Sequence, residues 1–167
     1  MAEKKTGLFE KLRLVPDVTA GLAIAVIIVL ETMQCVGRYA FGHPFLFVDD
    51  IVVICFSWAI FVGAAVAYRR KMHYGLEVIS NRFKGRAKQW YLLVVQAVTT
   101  CLFGYLLYRS IVLFANSGSK ILTTTRISFK WVDAGAVVGF LLMTVYGIEF
   151  FISDLKKLLK KEEEDKA

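Results

Sequence analysis

The apolar residues of this 167-residue chain fall into four long blocks, which polar or charged stretches separate. Soluble domains interrupt their apolar stretches with polar faces, whereas continuous apolar blocks are typical of membrane proteins. Because the hydrocarbon core of a bilayer is about 30 Å thick, a helix needs about 20 apolar residues to cross it. The pattern therefore predicts four membrane-spanning helices, at about 17–37, 49–68, 90–115 and 131–152.

The composition of the blocks agrees with this prediction. Trp90 and Trp131 open the third and fourth blocks, where the aromatic belt at a membrane edge would place them. Gly63 and Ala64 belong to a group of small residues in the second block that would let another helix approach closely. The predicted fold class is an all-α integral membrane protein of four helices, forming a single membrane domain over residues 1–167.

Two segments that flank the blocks have the pattern of short amphipathic helices. Segments 7–15 and 74–83 each place three apolar residues on one helical face, with basic residues nearby. Both are predicted to be interfacial helices that lie in the headgroup plane of the membrane. Ordinary solvated loops remain the alternative for each segment.

The distribution of positive charge predicts how the chain is oriented. Sixteen of the 21 Lys and Arg residues lie in the N-terminal segment, the loop after the second block and the C-terminal tail. The two other loops hold only Arg38, Lys120, Arg126 and Lys130. By the positive-inside rule, both termini and the middle loop are cytoplasmic, and residues 38–48 and 116–130 lie outside. The net charge of +7 then faces membrane lipids, and no nucleic acid is expected as a partner.

The sequence offers little catalytic or ligand-binding chemistry. Cys35, Cys55 and Cys101 lie inside apolar blocks without a CxxC spacing, so they are expected to be packing residues. His43 and His73 fall on opposite sides of the predicted membrane and cannot share a haem or a metal ion. No nucleotide-binding or catalytic-triad motif is apparent. The prediction is a protein that is not an enzyme and has no catalytic residue, metal site or cofactor.

Two charged residues lie within the blocks themselves. Glu31 in the first block and Arg109 in the third are at comparable depth toward the outer side. Charges are costly inside a bilayer, so each requires a partner or a function. The prediction is that Glu31 and Arg109 form a buried ion pair, because either would otherwise be stranded. The alternative is that Glu31 carries a proton or a cation.

Two adjacent aspartates, Asp49 and Asp50, open the second block just after Pro44. A helix start favours carboxylates, because its first N–H groups are unpaired and the helix dipole is positive there. The pair could therefore cap the second helix and hold Arg38. It could equally form an acidic spot on the outer surface that contacts another protein.

Residues 38–83 read RYAFGHPFLFVDDIVVICFSWAIFVGAAVAYRRKMHYGLEVISNRF. The run resembles the small membrane subunit, the DctQ-type small permease, of tripartite ATP-independent periplasmic (TRAP) transporters. That family typically shows an Arg-aromatic-x-Phe start, an acid pair, a Trp, a Gly-Ala-Ala group, a basic pair and a His. The matching positions are Arg38, Tyr39, Phe41, Asp49, Asp50, Trp58, Gly63, Ala64, Ala65, Arg69, Arg70 and His73. The acid pair departs from the family, which usually has two glutamates.

The resemblance implies a subunit of a larger machine in the bacterial inner membrane. In this family a large, multi-span membrane subunit carries the substrate and sodium sites and moves as an elevator. A periplasmic substrate-binding protein delivers an organic acid, such as a dicarboxylate or a sialic acid. The small subunit would scaffold the large one and help to dock the binding protein. The residues that would dock the binding protein are Arg38, Asp49 and Asp50. The residues that would have a structural role are Trp58, Gly63, Ala64, Arg69, Arg70 and His73.

Two other functions are compatible with four spans. A stand-alone exporter of the small multidrug type would use Glu31 as its exchanging carboxylate, but such proteins lack a long basic middle loop and a charged tail. A membrane anchor of a redox complex would hold haem or quinone, and it would require His residues that face each other within the spans.

Overall fold

A computed structural model describes the backbone of residues 3–43, 45–70 and 86–164, and the side chains of 14–43, 45–70 and 90–156. The four α-helices are α1 (Glu3–Phe41), α2 (Leu46–Arg69), α3 (Arg86–Asn116) and α4 (Lys130–Glu164). Each contains a segment long and apolar enough to cross a membrane: Leu14–Phe41, Leu46–Arg69, Trp90–Ser119 and Lys130–Lys156. The predicted all-α fold with four membrane-spanning helices is thereby confirmed.

The helices are longer than the apolar blocks that predict them. Segment 7–15 is helical and continues into the first span, although Pro16 lies within α1 and cannot donate a helical hydrogen bond. Helix α2 begins at Leu46, three residues before the predicted start. The second predicted interfacial segment, 74–83, lies outside the described residues, as do His73 and Pro44.

The four helices form a single layer. The backbones of α1 and α2, of α2 and α4, and of α4 and α3 lie side by side, whereas no other pair of the described helices has backbones in close approach. The order across the layer is therefore α1–α2–α4–α3, which differs from the order along the chain. The layer exposes many apolar side chains.

The centre of the layer depends on two glycines of α4. A Cβ atom at Gly139 would lie 2.6 Å from the Cβ of Phe61 and 2.7 Å from its carbonyl carbon and oxygen. A Cβ atom at Gly135 would lie 2.9 Å from Ser57 Oγ on the same helix, α2. Glycines four residues apart fall on one face of a helix and let two backbones approach closely. This Gly-x-x-x-Gly face therefore sets the distance between α2 and α4.

Small residues also lie at the other two helix contacts. Gly63 of α2 faces α1, where its added Cβ would lie 3.9 Å from Ala20 Cβ. Gly147 of α4 faces α3, where its added Cβ would lie 2.8 Å from Thr100 Oγ1. The predicted small-residue face of α2 thus meets α1 at Gly63, while Ala64 is exposed on the layer surface.

Candidate functional site

One end of the layer carries residues 41–43, 45, 46 and 117–129 and is built around Asp50; it is called the outer end, and the opposite one the inner end, after the orientation predicted from the charges. Its Oδ2 accepts hydrogen bonds from the backbone N–H groups of Thr124 (3.1 Å) and Thr125 (2.7 Å) and from Thr125 Oγ1 (2.8 Å). Asp50 is only 7% exposed. The carboxylate therefore fastens the loop between α3 and α4 onto the start of α2.

That loop has the form of a short hairpin. Leu122 N–H donates to the carbonyl of Ile127 (2.9 Å), and Phe129 N–H donates to the carbonyl of Lys120 (2.9 Å). The turn places Arg126 at a φ of +55°, which residues other than glycine rarely adopt. The hairpin thereby turns the N–H groups of the two threonines towards Asp50, and a carboxylate accepts such bonds more strongly than a neutral group would.

Asp49 makes a different connection, to α1. Gln34 Nε2 donates a 2.9 Å hydrogen bond to Asp49 Oδ1, while the Asp49 side chain stays exposed. The N-cap residue of α2 is Phe45, and no side chain bonds the free N–H groups there, so neither aspartate acts as the helix cap. Neither forms an ion pair with Arg38 within the described part of the chain. The expectation of a cap that holds Arg38 is therefore wrong, because the acids bond sideways to α1 and to the hairpin.

We expect Asp50→Ala to destabilise the protein by about 2–3 kcal/mol, because it removes a charged acceptor of three hydrogen bonds. Asp49→Ala is the matched control and should lose about 1 kcal/mol, since it removes one side-chain bond. Thermal unfolding of the purified chain in detergent measures both losses. Equal midpoints for the two variants would show that Asp50 does not anchor the hairpin.

The start of α4 is bonded to both of its neighbours. Trp58 Nε1 donates to the carbonyl of Trp131 (3.0 Å), and Ser57 Oγ donates to the carbonyl of Val132 (2.6 Å). On the other side, Ser117 Oγ donates to the buried carboxylate of Asp133. Trp58, a position of the family pattern, therefore joins α2 to α4 at the outer end.

Arg69 joins three helices at the inner end. Its Nη2 lies 2.9 Å from Asp17 Oδ1 and 2.7 Å from Asp17 Oδ2 on α1, and its Cζ lies 5.9 Å from the ring centroid of Tyr146 on α4. Arg70 lies farther from Asp17, at 3.4 Å, and its side chain is 57% exposed. Of the basic pair in the family pattern, Arg69 is thus the structural member.

A second polar contact at the inner end joins α2, α3 and α4. Gln96 Nε2 donates to the hydroxyl of Tyr68 (2.5 Å) and lies 3.3 Å from the carbonyl oxygen of Gly147. The Tyr68 ring also packs against Phe103 and Phe150, with ring centroids 5.0 and 5.8 Å away. The inner half of the layer is therefore held by a polar centre surrounded by aromatic rings.

The predicted ion pair between Glu31 and Arg109 is not formed. Both side chains are exposed, and no ion pair within 4.0 Å joins them in the described part of the chain. Their helices α1 and α3 lie at opposite edges of the layer and do not contact each other. Similar depth therefore did not bring the two charges together, because α2 and α4 separate their helices.

Chemistry beyond hydrogen bonding and charge is sparse in the described part of the chain. It contains no group of three or more His, Cys, Asp or Glu side chains that could hold a metal ion. Cys35, Cys55 and Cys101 are free thiols, and the first and last of them are exposed.

Comparison with known proteins identifies relatives. Residues 25–157 match the family model described as tripartite ATP-independent periplasmic transporters, DctQ component. The chain is 33% identical over 73 residues to the C4-dicarboxylate TRAP transporter small permease protein DctQ of Vibrio cholerae. That alignment covers 44% of this chain and 31% of the relative's length.

Proposed function

The chain belongs to the DctQ family of tripartite ATP-independent periplasmic transporters, and we propose that it is the small membrane subunit that scaffolds a large TRAP membrane subunit. It is a multi-pass membrane protein and a transporter component. Its proposed location is the bacterial inner membrane, with both termini in the cytoplasm. Its proposed partners are the large subunit and a periplasmic substrate-binding protein.

The observation that carries this proposal is the single layer of helices. A carrier that works alone needs helices that surround a path for its substrate, whereas the two end helices of this layer, α1 and α3, do not lie against each other. Two broad faces are instead free to contact another membrane protein or lipid. The two alternative functions, a stand-alone exporter and a redox-complex anchor, are not proposed, since the chain belongs to the DctQ family.

The transported compound is proposed from the relative and from the family resemblance. The protein of Vibrio cholerae is named as a C4-dicarboxylate transporter component, and from that name we propose uptake of an organic acid such as a dicarboxylate. Sodium coupling, and a sialic acid as the other candidate substrate, are proposed from the family resemblance. Selection of the substrate would then lie with the two partner proteins.

We propose that the outer end helps to dock the binding protein. The side chains of Arg38 and Asp49 are exposed there, whereas Asp50 is occupied by the hairpin. Exposed charges steer encounter and set register more than they add affinity. The proposed docking surface therefore comprises Arg38, Asp49 and the hairpin that Asp50 positions.

Co-expression with a large TRAP subunit tests the proposed function. The tagged chain should retain the large subunit through purification in mild detergent. Vesicles that contain both proteins, together with the binding protein and a sodium gradient, should take up the organic acid, and vesicles lacking this chain should not. Uptake by the large subunit and binding protein alone at an undiminished rate would contradict the proposal.

A further inference from the structure

A cleft opens between α1 and α2 near the outer end of the layer. Its volume is about 330 Å³. The residues that line it are Glu31, Gln34, Cys35, Arg38, Tyr39 and Asp49. The cleft gathers polar and charged side chains on two largely apolar spans.

The charges that line the cleft are not paired with one another. Two carboxylates, Glu31 and Asp49, and one guanidinium, Arg38, face it without an ion pair in the described part of the chain. The formal charge of the lining is therefore −1. Such a site favours a cation over an anion or a neutral group.

Gln34 supplies a second, independent indication of a ligand. Its side chain is 8% exposed, and its Nε2 is used by Asp49, but Oε1 is buried and has no hydrogen-bond partner. A buried acceptor without a donor is unfavourable, and native proteins leave few of them. Gln34, which lines the cleft, therefore keeps an unmet acceptor close to it.

Glu31 lies too deep to reach water by its own length. It is about 5 Å from the middle of the segment Leu14–Phe41 and about 15 Å from the outer end of α1, at 1.5 Å per residue. An exposed carboxylate at this depth is costly against lipid, and such residues usually face protein or a water-filled cavity. The surface of α1 around Glu31 therefore requires a cover.

We propose that the cleft receives a cationic side chain, Lys or Arg, from the large membrane subunit. This inference rests on the proposed function, because it names the contact through which the two membrane subunits meet. The cation would lie on the Glu31 carboxylate, beside the Gln34 amide. Asp49 at the outer rim, already bonded to Gln34, would hold the amide in place.

A lipid headgroup fits the same cleft less well. In phosphatidylethanolamine the phosphate lies toward the membrane centre and the amine lies toward water. The cleft has the opposite order, since the acidic Glu31 is seven residues, or about 10 Å, deeper than the basic Arg38. A side chain that enters sideways from a neighbouring helix has no such constraint.

The test compares variants of this chain in the complex with its large subunit. Glu31→Gln should weaken association by at least ~30-fold, the ratio that corresponds to about 2 kcal/mol for truncating one partner of a buried charge pair. The thermal midpoint of this chain alone should not change, because Glu31 has no ion-pair partner among the described residues. Val29→Gln is the matched control, since it adds the same amide at an exposed position on the other side of α1 and should leave association unchanged.

A charge exchange identifies the partner residue. Glu31→Lys should abolish the complex, and changing one basic residue of the large subunit's spans to Glu should restore it. If wild-type chains associate but neither Glu31 variant weakens the complex, or no exchange restores it, the inference is overturned while the proposed function stands. Loss of a bound lipid in native mass spectra of Glu31→Gln, with unchanged association, would also overturn it. If the wild-type chains do not associate at all, the proposed function itself fails.

Discussion

Replacing Gly139 by alanine should lower the free energy of unfolding by about 3 kcal/mol, at the upper end of what overpacking costs. The added methyl group would lie 2.6 Å from Phe61 Cβ and 2.7 Å from the Phe61 carbonyl carbon and oxygen. A side chain could rotate away, but these are backbone and Cβ atoms in the middle of α2. The two helices would therefore have to separate, and the contacts on both sides of Gly139 would weaken with them. Thermal unfolding of the purified chain in detergent measures the loss.

Gly104→Ala is the matched control for this experiment. Gly104 lies within α3, and a Cβ atom there meets nothing within 4 Å. Alanine restricts the unfolded chain more than glycine does, so this variant should be more stable by up to about 1 kcal/mol. A Gly139→Ala protein with the midpoint of Gly104→Ala would show that α2 and α4 do not depend on the close approach.

The number and place of the spans could be predicted because one physical constraint dominates them. A helix that crosses lipid must be apolar over about 20 residues, and that length is visible in one stretch of chain. The prediction was least accurate at the ends, where α2 starts at Leu46 and α1 extends back to Glu3. Polar residues can continue a helix beyond the lipid, so the apolar pattern does not mark its true end.

The arrangement of the helices could not be predicted in the same way. Span order along the chain suggests that the second and third helices are neighbours, but α4 lies between them. The predicted pair of Glu31 and Arg109 failed for this reason, since depth alone cannot say which helices touch. A signal was present in the Gly-x-x-x-Gly spacing of Gly135 and Gly139, which is typical of a close helix contact. This spacing indicates which face of α4 makes a close contact, although it does not indicate which helix lies against that face.

The acid pair illustrates a prediction that was right about place and wrong about bonding. Asp49 and Asp50 lie in the first turns of α2, as their position before an apolar block suggests. Neighbouring residues on a helix point in different directions, however, so Asp49 meets Gln34 of α1 and Asp50 meets the hairpin. The hairpin lies 74 residues farther along the chain, and no local pattern indicates that Thr124 would come to Asp50.

Replacing Arg69 by alanine should destabilise the protein by about 2–3 kcal/mol, because it removes both charged hydrogen bonds to Asp17 and the contact with α4 at once. The guanidinium Nη2 bonds both oxygens of Asp17 and its Cζ lies beside the Tyr146 ring, and the side chain is only 15% exposed. Arg69→Lys should recover part of the loss, since it keeps the charge but loses the planar guanidinium beside the Tyr146 ring.

Arg70→Ala is the matched control, because it removes the same side chain from the adjacent position. Arg70 is 57% exposed and lies 3.4 Å from Asp17, so its loss should cost no more than about 0.5 kcal/mol. Combining Asp17→Asn with Arg69→Ala should cost less than the sum of the two single changes, because the second change removes a group that the first has already left without its partner. Losses that add fully would mean that Arg69 acts through Tyr146 rather than through Asp17. Equal losses for Arg69→Ala and Arg70→Ala would mean that overall charge at the inner end, rather than one buried contact, holds α1 against α2.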